Sequence, residues 1–375
     1  MIYYLGYYGN MDKRFCSSPA ADTLMYYIAC KLSEIDKTRI VSLAVSNETH
    51  ETNIFIKNNL NFVVSPFFKG GNFFVRKVNA LKRYIWIYKY LIKNFKKGDL
   101  LIVYHSLALI KFVKLLKRKL KCRVILQVCE IYGDVAENYR LVKKEMKFFQ
   151  IGDAYIFSSK ELNKKINIKQ KENIIVHGTY NVEQQCGQAF ADNKIHVVYA
   201  GTFDPRKGGV AAAAAAGLYL DERYYVHILG FGTEEERKKI IDIIDENSLQ
   251  TKCTVKFEGL KQGGEYIRFL QSCDIGLSTQ NPDAKFNDTS FPSKILSYMS
   301  NGLHVVSIRI PVVEASVVGN FIDYYDEQSP KIIAEAIRKV KLNDDYDGRK
   351  IIAELDKNFF LQLKKMIKKD YYSEG

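Results

Sequence analysis

The sequence predicts an α/β protein of two successive doubly wound units, and three observations carry that expectation. Short runs of β-branched and aromatic residues alternate with segments of helical spacing, the pattern of a parallel sheet covered on both faces. The alternation breaks at residues 181–193 (NVEQQCGQAFADN), a stretch rich in Asn and Gln with no clear period. After the break a second strand–helix series starts over. A chain of 375 residues is long enough for two domains of ordinary size. The expected division is residues 1–180, a linker at 181–193, residues 194–345, and a closing helix within 346–375 that packs back toward the first domain.

Taken in order, Ile2 to Tyr8 is rich in β-formers and alternates little, so it reads as a buried first strand. It lacks the basic region, apolar core and small-residue cleavage site of a signal peptide. Gly9-Asn10 ends it, and a polar loop runs to Pro19. Ala20 to Leu32 has helical spacing, and Arg39 to Val45 and Phe62 to Phe67 are the next strands. Within Phe73 to Lys97, the residues Val78, Leu81, Ile85, Tyr88, Ile92 and Phe95 fall at 3,4 spacing on one helix face. That segment carries eight Lys or Arg, seven aromatics and no acidic residue. It fits either a core helix with a solvated basic face or a basic, aromatic-rimmed helix on an anionic membrane surface. Asp99 to Tyr104 is a strand with His105 at its carboxyl end, and a second basic helix, Leu107 to Lys121, follows. Arg123 to Val128 ends at Glu130-Ile131-Tyr132. A helix around Glu137 to Phe149 and strands at Ala154–Ser158 and Asn173–His177 complete the first unit.

The second series has strands at Ile195–Ala200, Tyr224–Leu229, Thr254–Phe257, Asp274–Ser278, His304–Ser307 and Phe321–Tyr325. The alanine run Ala211 to Ala216 reads as a helix whose small side chains approach the sheet closely. Pro330 to Val340 and Asp347 to Lys369 are closing helices, the last with a basic cluster at Lys364, Lys365, Lys368 and Lys369.

Composition narrows the classes. With 47% hydrophobic and 26% charged residues the chain is globular and not disordered. No run approaches the ~18 apolar residues of a membrane span. The seven cysteines, Cys16, Cys30, Cys122, Cys129, Cys186, Cys253 and Cys273, are scattered without a CxxC. They suit a reducing cytosol and argue against a cysteine-held metal. The net charge of +14 fits nucleic acid, an anionic membrane or phosphorylated small molecules. The absence of RNP-like, zinc-finger and helix-turn-helix patterns argues against nucleic acid.

In doubly wound sheets ligands bind beyond the carboxyl ends of the strands. Gly9, His105, Glu130, Gly201, Gly232 and the stretch from Asp288 are therefore the candidates. Gly201-Thr202-Phe203-Asp204-Pro205-Arg206-Lys207-Gly208-Gly209 lies between a strand and a helix. It has neither the GxGxxG spacing of a dinucleotide site nor the GK[ST] ending of a P-loop, yet Lys207 sets a cation beside glycines that admit a phosphate. Asp288 to Ser307 (DTSFPSKILSYMSNGLHVVS) reads as a helix with Pro292 in its first turn, Thr289 or Ser290 as cap and Gly302 as its left-handed stop. Such a capped N-terminus attracts anions.

Together the AGTF…KGG loop, Gly230-Phe231-Gly232, VKFEG and SFPSKILSYMSNGLHVVS resemble the C-terminal domain of GT-B glycosyltransferases. The resemblance is nearest to the retaining, nucleotide-sugar-dependent group of bacterial capsule and surface-polysaccharide synthesis. GYYGNMDKRFCSSPAADTLMYYIACKL, VYHSLALIKFV and ILQVCEIYGDV are similar to that group's acceptor domain. It implies two Rossmann-like domains facing a cleft, retention of anomeric configuration, no cofactor and no obligatory metal. It puts the donor diphosphate on Gly201, Thr202, Arg206, Lys207, Gly208 and Gly232, with Asp288, Ser290, Phe291, Pro292, Ser293 and Lys294. His105 matches a strand-end histidine near the donor sugar or is a satisfied strand-end histidine, and Glu130 is a carboxylate placed to deprotonate an acceptor hydroxyl or a member of a structural ion pair with Lys or Arg. Gly9, Arg14 and Tyr132 fall on the acceptor side. The chain departs from the pattern at Thr202, where the group has Arg, and at Thr289 and Ser297, where it has two glutamates. The function implied is transfer of a sugar to a saccharide or lipid-linked saccharide, by a cytoplasmic enzyme held peripherally at the inner membrane face. The departures leave open a non-catalytic partner subunit of the same fold, and a sugar-nucleotide epimerase is a further rival.

Overall fold

The first strand, β1 (Ile2–Gly6), is buried along its whole length, which places it in the middle of a sheet covered on both faces. The computed structural model describes residues 1–9, 12, 14–57, 60–204, 209–282, 284–342 and 345–372, with side chains through 368. Two units emerge, one of Met1–Thr179 together with the chain from Asn358 on, the other of Tyr180–Lys357.

The remaining strands of the first unit are β2 (Phe15–Cys16), β3 (Thr38–Ser42), β4 (Val45–Ser46), β5 (Asn53–Lys57), β6 (Leu60–Val64), β7 (Leu100–Tyr104), β8 (Val124–Val128), β9 (Ala154–Phe157) and β10 (Asn173–Ile175). Eight of them form one sheet in the order β10-β9-β8-β7-β1-β3-β6-β5, and β2 pairs with β4 apart from it. Neighbours run parallel, with Tyr4 opposite Ile40 on one side and Ile102 on the other. The exception is the edge strand β5, antiparallel to β6. The sequence reading missed β5; its five residues NIFIK have little burial to mark them.

Helices α1 (Pro19–Ser33), α2 (Phe73–Asn94), α3 (Ile110–Leu120), α4 (Tyr132–Val135), α5 (Tyr139–Phe149) and α6 (Lys160–Ile166) cover this sheet. The apolar face expected of α2 is corrected. Arg83, Ile87 and Leu91 are its buried residues, whereas Val78, Leu81, Ile85 and Ile92 are exposed. Tyrosines flank the buried face, each with a hydroxyl that finds a partner. Tyr84 meets the Tyr7 hydroxyl at 2.7 Å, and Tyr90 accepts from Arg39 at 2.7 Å. Arg83 donates to the carbonyls of Leu43 and Ala44, which makes its burial tolerable.

In the second unit the strands are β11 (Ile195–Thr202), β12 (Tyr224–Phe231), β13 (Thr254–Gly259), β14 (Ile275–Ser278), β15 (His304–Ile308) and β16 (Asp323–Tyr325). They form one parallel sheet in the order β13-β12-β11-β14-β15-β16. All six expected strands are present, with ends moved by a few residues. The helices are α7 (Val210–Ala215), α8 (Glu234–Ser248), α9 (Gly263–Gln271), α10 (Lys294–Ser300), α11 (Pro311–Glu314), α12 (Pro330–Lys339) and α13 (Gly348–Tyr372). Ala213, Ala214 and Ala216 are buried, as close approach of the alanine run requires. Residues 181–192 form no helix or strand. Gln271 on α9 holds that stretch by accepting from the N–H groups of Cys186 and Gly187, both at 2.8 Å.

Chain order reverses between β11 and β14, which pair at Val197–Ile275 and Val198–Gly276. Just beyond, the Tyr298 hydroxyl accepts from the Ala200 N–H at 2.9 Å and donates to the Leu277 carbonyl at 3.2 Å. Its ring lies on Gly276, where a Cβ would stand 2.3 Å from it. Tyr298→Phe leaves two buried backbone groups short of a partner and is expected to cost ~1–3 kcal/mol. Gly276→Ala is expected to cost a similar ~1–3 kcal/mol by overpacking. Urea midpoints of both variants check this; midpoints equal to the parent's would remove the ring from any structural role.

Candidate functional site

The end of β11, at the β11–β14 reversal, brings together three of the predicted donor residues, Gly201, Thr202 and Lys294. Gly201 lies near the end of β11, and a Cβ there would stand 2.8 Å from Lys294 Nζ and 3.2 Å from Tyr199 Oη. The missing side chain is what admits the ammonium. Lys294 Nζ stands 4.3 Å from the centre of the Tyr199 ring, a cation–π contact. Burial lowers its pKa to about 8, since no carboxylate pairs with it among the described residues. Thr202 occupies the position of the resembling group's arginine. Its carbonyl accepts from the Tyr199 hydroxyl at 2.7 Å and its own hydroxyl from the Asp204 N–H at 3.2 Å.

At the carboxyl ends of β14 and β16, and in the turn before α10, several polar groups are left over. Ser278 Oγ, Thr279 Oγ1, Ser290 Oγ and Gln328 Nε2 are buried with no hydrogen-bond partner among the described residues. Thr279 and Gln328 meet at Gly209, where a Cβ would fall 1.7 Å from Gln328 Nε2 and 3.0 Å from Thr279 Cβ. Buried donors and acceptors without partners cost stability, so these groups are candidates for contact with a polar ligand. Ser290 was expected from the sequence; Ser278, Thr279, Gly209 and Gln328 were missed. Position just after the carboxyl ends of β14 and β16 was the signal for the three side chains among these.

Asp288 is exposed at the end of a single 3-10 turn, Lys285–Asp288. Asn287 pins that loop, accepting from Gln280 Nε2 at 2.8 Å and donating to the Asn281 carbonyl at 2.6 Å. The capped-helix expectation is corrected. The helix α10 starts at Lys294, Ser293 precedes it without a side-chain cap, and neither Thr289 nor Ser290 caps it. The chain from Phe286 to Pro292 instead turns tightly, with the Thr289 and Ser290 N–H groups both on the Phe286 carbonyl. Phe291 is buried and Pro292 half-buried. Gly232 serves packing, since a Cβ would stand 2.7 Å from Phe203 Cβ and 2.8 Å from Glu236 Oε2. Arg206, Lys207 and Gly208 lie outside the described residues.

In the first unit, the carboxyl ends of β7 and β8 carry His105 and Glu130. Glu130 is half-buried. His105 is buried, boxed by Tyr132, Phe148 and Phe149. Its Nε2 stands 2.7 Å from Glu145 Oε1. Glu145 also accepts from the N–H groups of Tyr132 and Gly133, at 3.0 and 2.7 Å. Of the two readings of His105, the structure shows the satisfied strand-end histidine: with Glu145 it braces the turn that carries Tyr132. The Tyr132 hydroxyl points back to the His105 carbonyl at 3.4 Å.

A separate hollow of about 220 Å³ is lined by Tyr8, Gly9, Asp12, Arg14, Phe15, Asn53, Phe55 and Val64. It gathers the predicted Gly9 and Arg14. Buried Asp22, unnoticed in the sequence, shapes it by accepting from the Gly9 N–H at 3.0 Å and the Ser17 hydroxyl at 2.7 Å. Arg14 is held by Asp12, with its Nε at 3.0 Å and Nη2 at 2.7 Å from Oδ2. That pairing holds the Asp12 carboxyl below its usual range.

No protein-family model matches the chain, and no curated protein matches it. Solved structures do. Sucrose-phosphate synthase of Thermosynechococcus elongatus aligns with a TM-score of 0.70 at 13% identity, covering 99% of this chain and 98% of that one. The chain has the GT-B fold, two Rossmann-like α/β domains. A trehalose-6-phosphate structure from E. coli, bound with UDP-2-fluoro glucose, aligns with a TM-score of 0.62 at 10% identity over 100% and 98% of the two chains. A UDP-forming α,α-trehalose-phosphate synthase of Burkholderia xenovorans, in complex with glucose-6-phosphate, aligns with a TM-score of 0.59 at 9% identity over 100% and 99%.

Because the Lys294 pKa is lowered to about 8, its charge at the crevice depends on pH. An anion binds the ammonium form, which predominates below that value and is lost above it. Calorimetric affinity for UDP is therefore expected to hold steady toward neutral pH and to fall through about pH 8 to 9.5. Lys294→Met should weaken binding by about tenfold or more at neutral pH and flatten that fall. A parent affinity independent of pH over this range would exclude Lys294 from the contact.

Proposed function

We propose that the protein is a glycosyltransferase. It moves a sugar from a nucleoside diphosphate to a saccharide or lipid-linked saccharide in the synthesis of a bacterial surface polysaccharide. The observation that carries this reading is the ammonium of Lys294 beside Gly201 at the end of β11, with unpartnered buried hydroxyl and amide groups at Ser278, Thr279, Ser290 and Gln328 of the same unit. A diphosphate supplies the missing anion, and the sugar or ribose supplies hydroxyls for Thr279, Ser290 and Gln328. Support comes from the GT-B neighbours, one bound with UDP-2-fluoro glucose and another with glucose-6-phosphate.

On this reading the acceptor oxygen forms a bond to the anomeric carbon as the bond from that carbon to the phosphate oxygen breaks. Charge grows on the departing diphosphate, where Lys294, with Arg206, Lys207 and Gly208 in the preceding loop, offsets it. Electrostatic stabilisation of this kind is the largest catalytic effect on offer, and it leaves no step that calls for a metal or a cofactor. The acceptor's proton passes to Glu130. His105 acts through Glu145 as a positioning residue for Tyr132. Gly9 and Arg14 face the acceptor, and retention of configuration follows from the resemblance. The reaction runs in the cytoplasm at the inner face of the membrane, where lipid-linked acceptors reside.

Thr289 and Ser297, standing where the resembling group has glutamates, favour one second reading: a partner subunit that binds the donor without turning it over. A thermal-shift series with UDP, GDP and dTDP, followed by transfer assays with the corresponding sugars, separates the two. At least one diphosphate is expected to raise the melting temperature. Glu130→Gln is expected to lower turnover by about a hundredfold or more while leaving donor affinity unchanged. Binding without transfer would support the partner-subunit reading, and no binding of any diphosphate would overturn both.

A further inference from the structure

We infer that the outward face of α2, with the neighbouring face of α3, is a docking surface for an anionic phospholipid leaflet. The inference gives the membrane placement proposed above a specific contact surface.

The rotation of α2 that buries Arg83, Ile87 and Leu91 turns a full apolar stripe outward. Phe74, Val78, Leu81, Ile85 and Ile92 stand exposed at helical spacing, with Phe74 76% and Leu81 58% accessible. From Phe74 to Ile92 the ridge runs about 27 Å at ~1.5 Å per residue. Phe73 and Val75 extend it at the start of the helix, and Leu115 of α3 is exposed as well. An exposed patch of that length on a folded protein marks an interaction surface.

The charges name the partner. Arg76, Lys77, Lys82, Lys89 and Lys93 flank the ridge, all exposed, and α3 adds Lys111, Lys114, Arg118 and Lys119. Neither helix contains an acidic residue, and none of these cations has a carboxylate partner among the described residues. A second copy of the chain would set two strongly basic faces against each other. A nucleic acid would satisfy the lysines and leave Val78, Leu81 and Ile85 in water. An anionic leaflet satisfies both at once: phosphates meet the flanking cations while the aliphatic ridge enters the boundary between headgroups and acyl chains. The helix lies flat in this geometry, for no helix among the described residues is long and apolar enough to cross a membrane.

Flotation of the full chain with vesicles tests this. Co-flotation is expected with vesicles of phosphatidylglycerol mixed with phosphatidylcholine, much less with phosphatidylcholine alone, and less at high salt. The double substitution Leu81→Glu, Ile85→Glu sits on exposed positions, so melting temperature and nucleotide-induced shift should match the parent. Its vesicle affinity should drop by about tenfold or more. Leu81→Trp in a Trp86→Phe background should shift its fluorescence to the blue on anionic vesicles. Parent protein that ignores anionic vesicles, or a Glu pair that floats as the parent does, would overturn the inference. So would a dimer of the parent that the Glu pair dissolves. Failure here with the nucleotide shift intact leaves the transferase reading standing, and loss of the nucleotide shift with flotation intact does the reverse.

Discussion

The second unit depends on one hydroxyl. Two parallel strands that part at a switch point leave ladder groups without partners at the fork, and buried backbone groups in that state are costly. Between β11 and β14 those groups are the Ala200 N–H and the Leu277 carbonyl, and Tyr298 serves both. The strands can therefore separate early without a penalty in unpaired polar groups, and the space beyond the fork becomes the crevice. Gly276 is the second condition, because the ring occupies the place where a Cβ would stand. A structural tyrosine and a structural glycine thus create the opening, and neither has to touch a ligand.

What fills the opening follows from what α10 carries into it. Tyr298 fixes α10 against β14, and that anchor sets Lys294, one turn earlier, beside Gly201. The ammonium stacks on Tyr199, and burial lowers its pKa to about 8.

Much of this was legible in the sequence, and the misreadings share a cause. Parallel strands buried on both faces announce themselves as apolar runs, as β11, β12, β14 and β15 of the second unit do. Residues following strand ends were sound candidates, which is why Gly201, Ser290 and Lys294 were found. Tyrosine was the blind spot. In α2 the half-buried Tyr84 and Tyr90 find hydroxyl partners beside the buried Ile87 and Leu91, and in α10 Tyr298 looked like ordinary core. Pairing was the other. His105 reads as a reactive strand-end group until Glu145, forty residues on, is seen to hold it. Asp22 gives no sign in the sequence that it braces Gly9. Such partners are set by tertiary approach, which local spacing does not encode.

The two departures from the resembling group's pattern bear on the same balance of charge. A glutamate at Ser297 would lie three residues from Lys294 on α10, within the reach of a helical ion pair. A carboxylate there would neutralise part of the ammonium and raise its pKa. Ser297 does neither, and its hydroxyl instead meets Tyr266. Thr289 is buried and equally neutral. The crevice thereby trades carboxylate acceptors for hydroxyl and amide groups at Thr279, Ser290 and Gln328. Carboxylates would bind sugar or ribose hydroxyls strongly and repel the diphosphate. Neutral groups bind those hydroxyls more weakly and leave the full attraction of Lys294 for phosphate. On the proposed reading, recognition would therefore lean toward the diphosphate and away from the hydroxyl groups on either side of it.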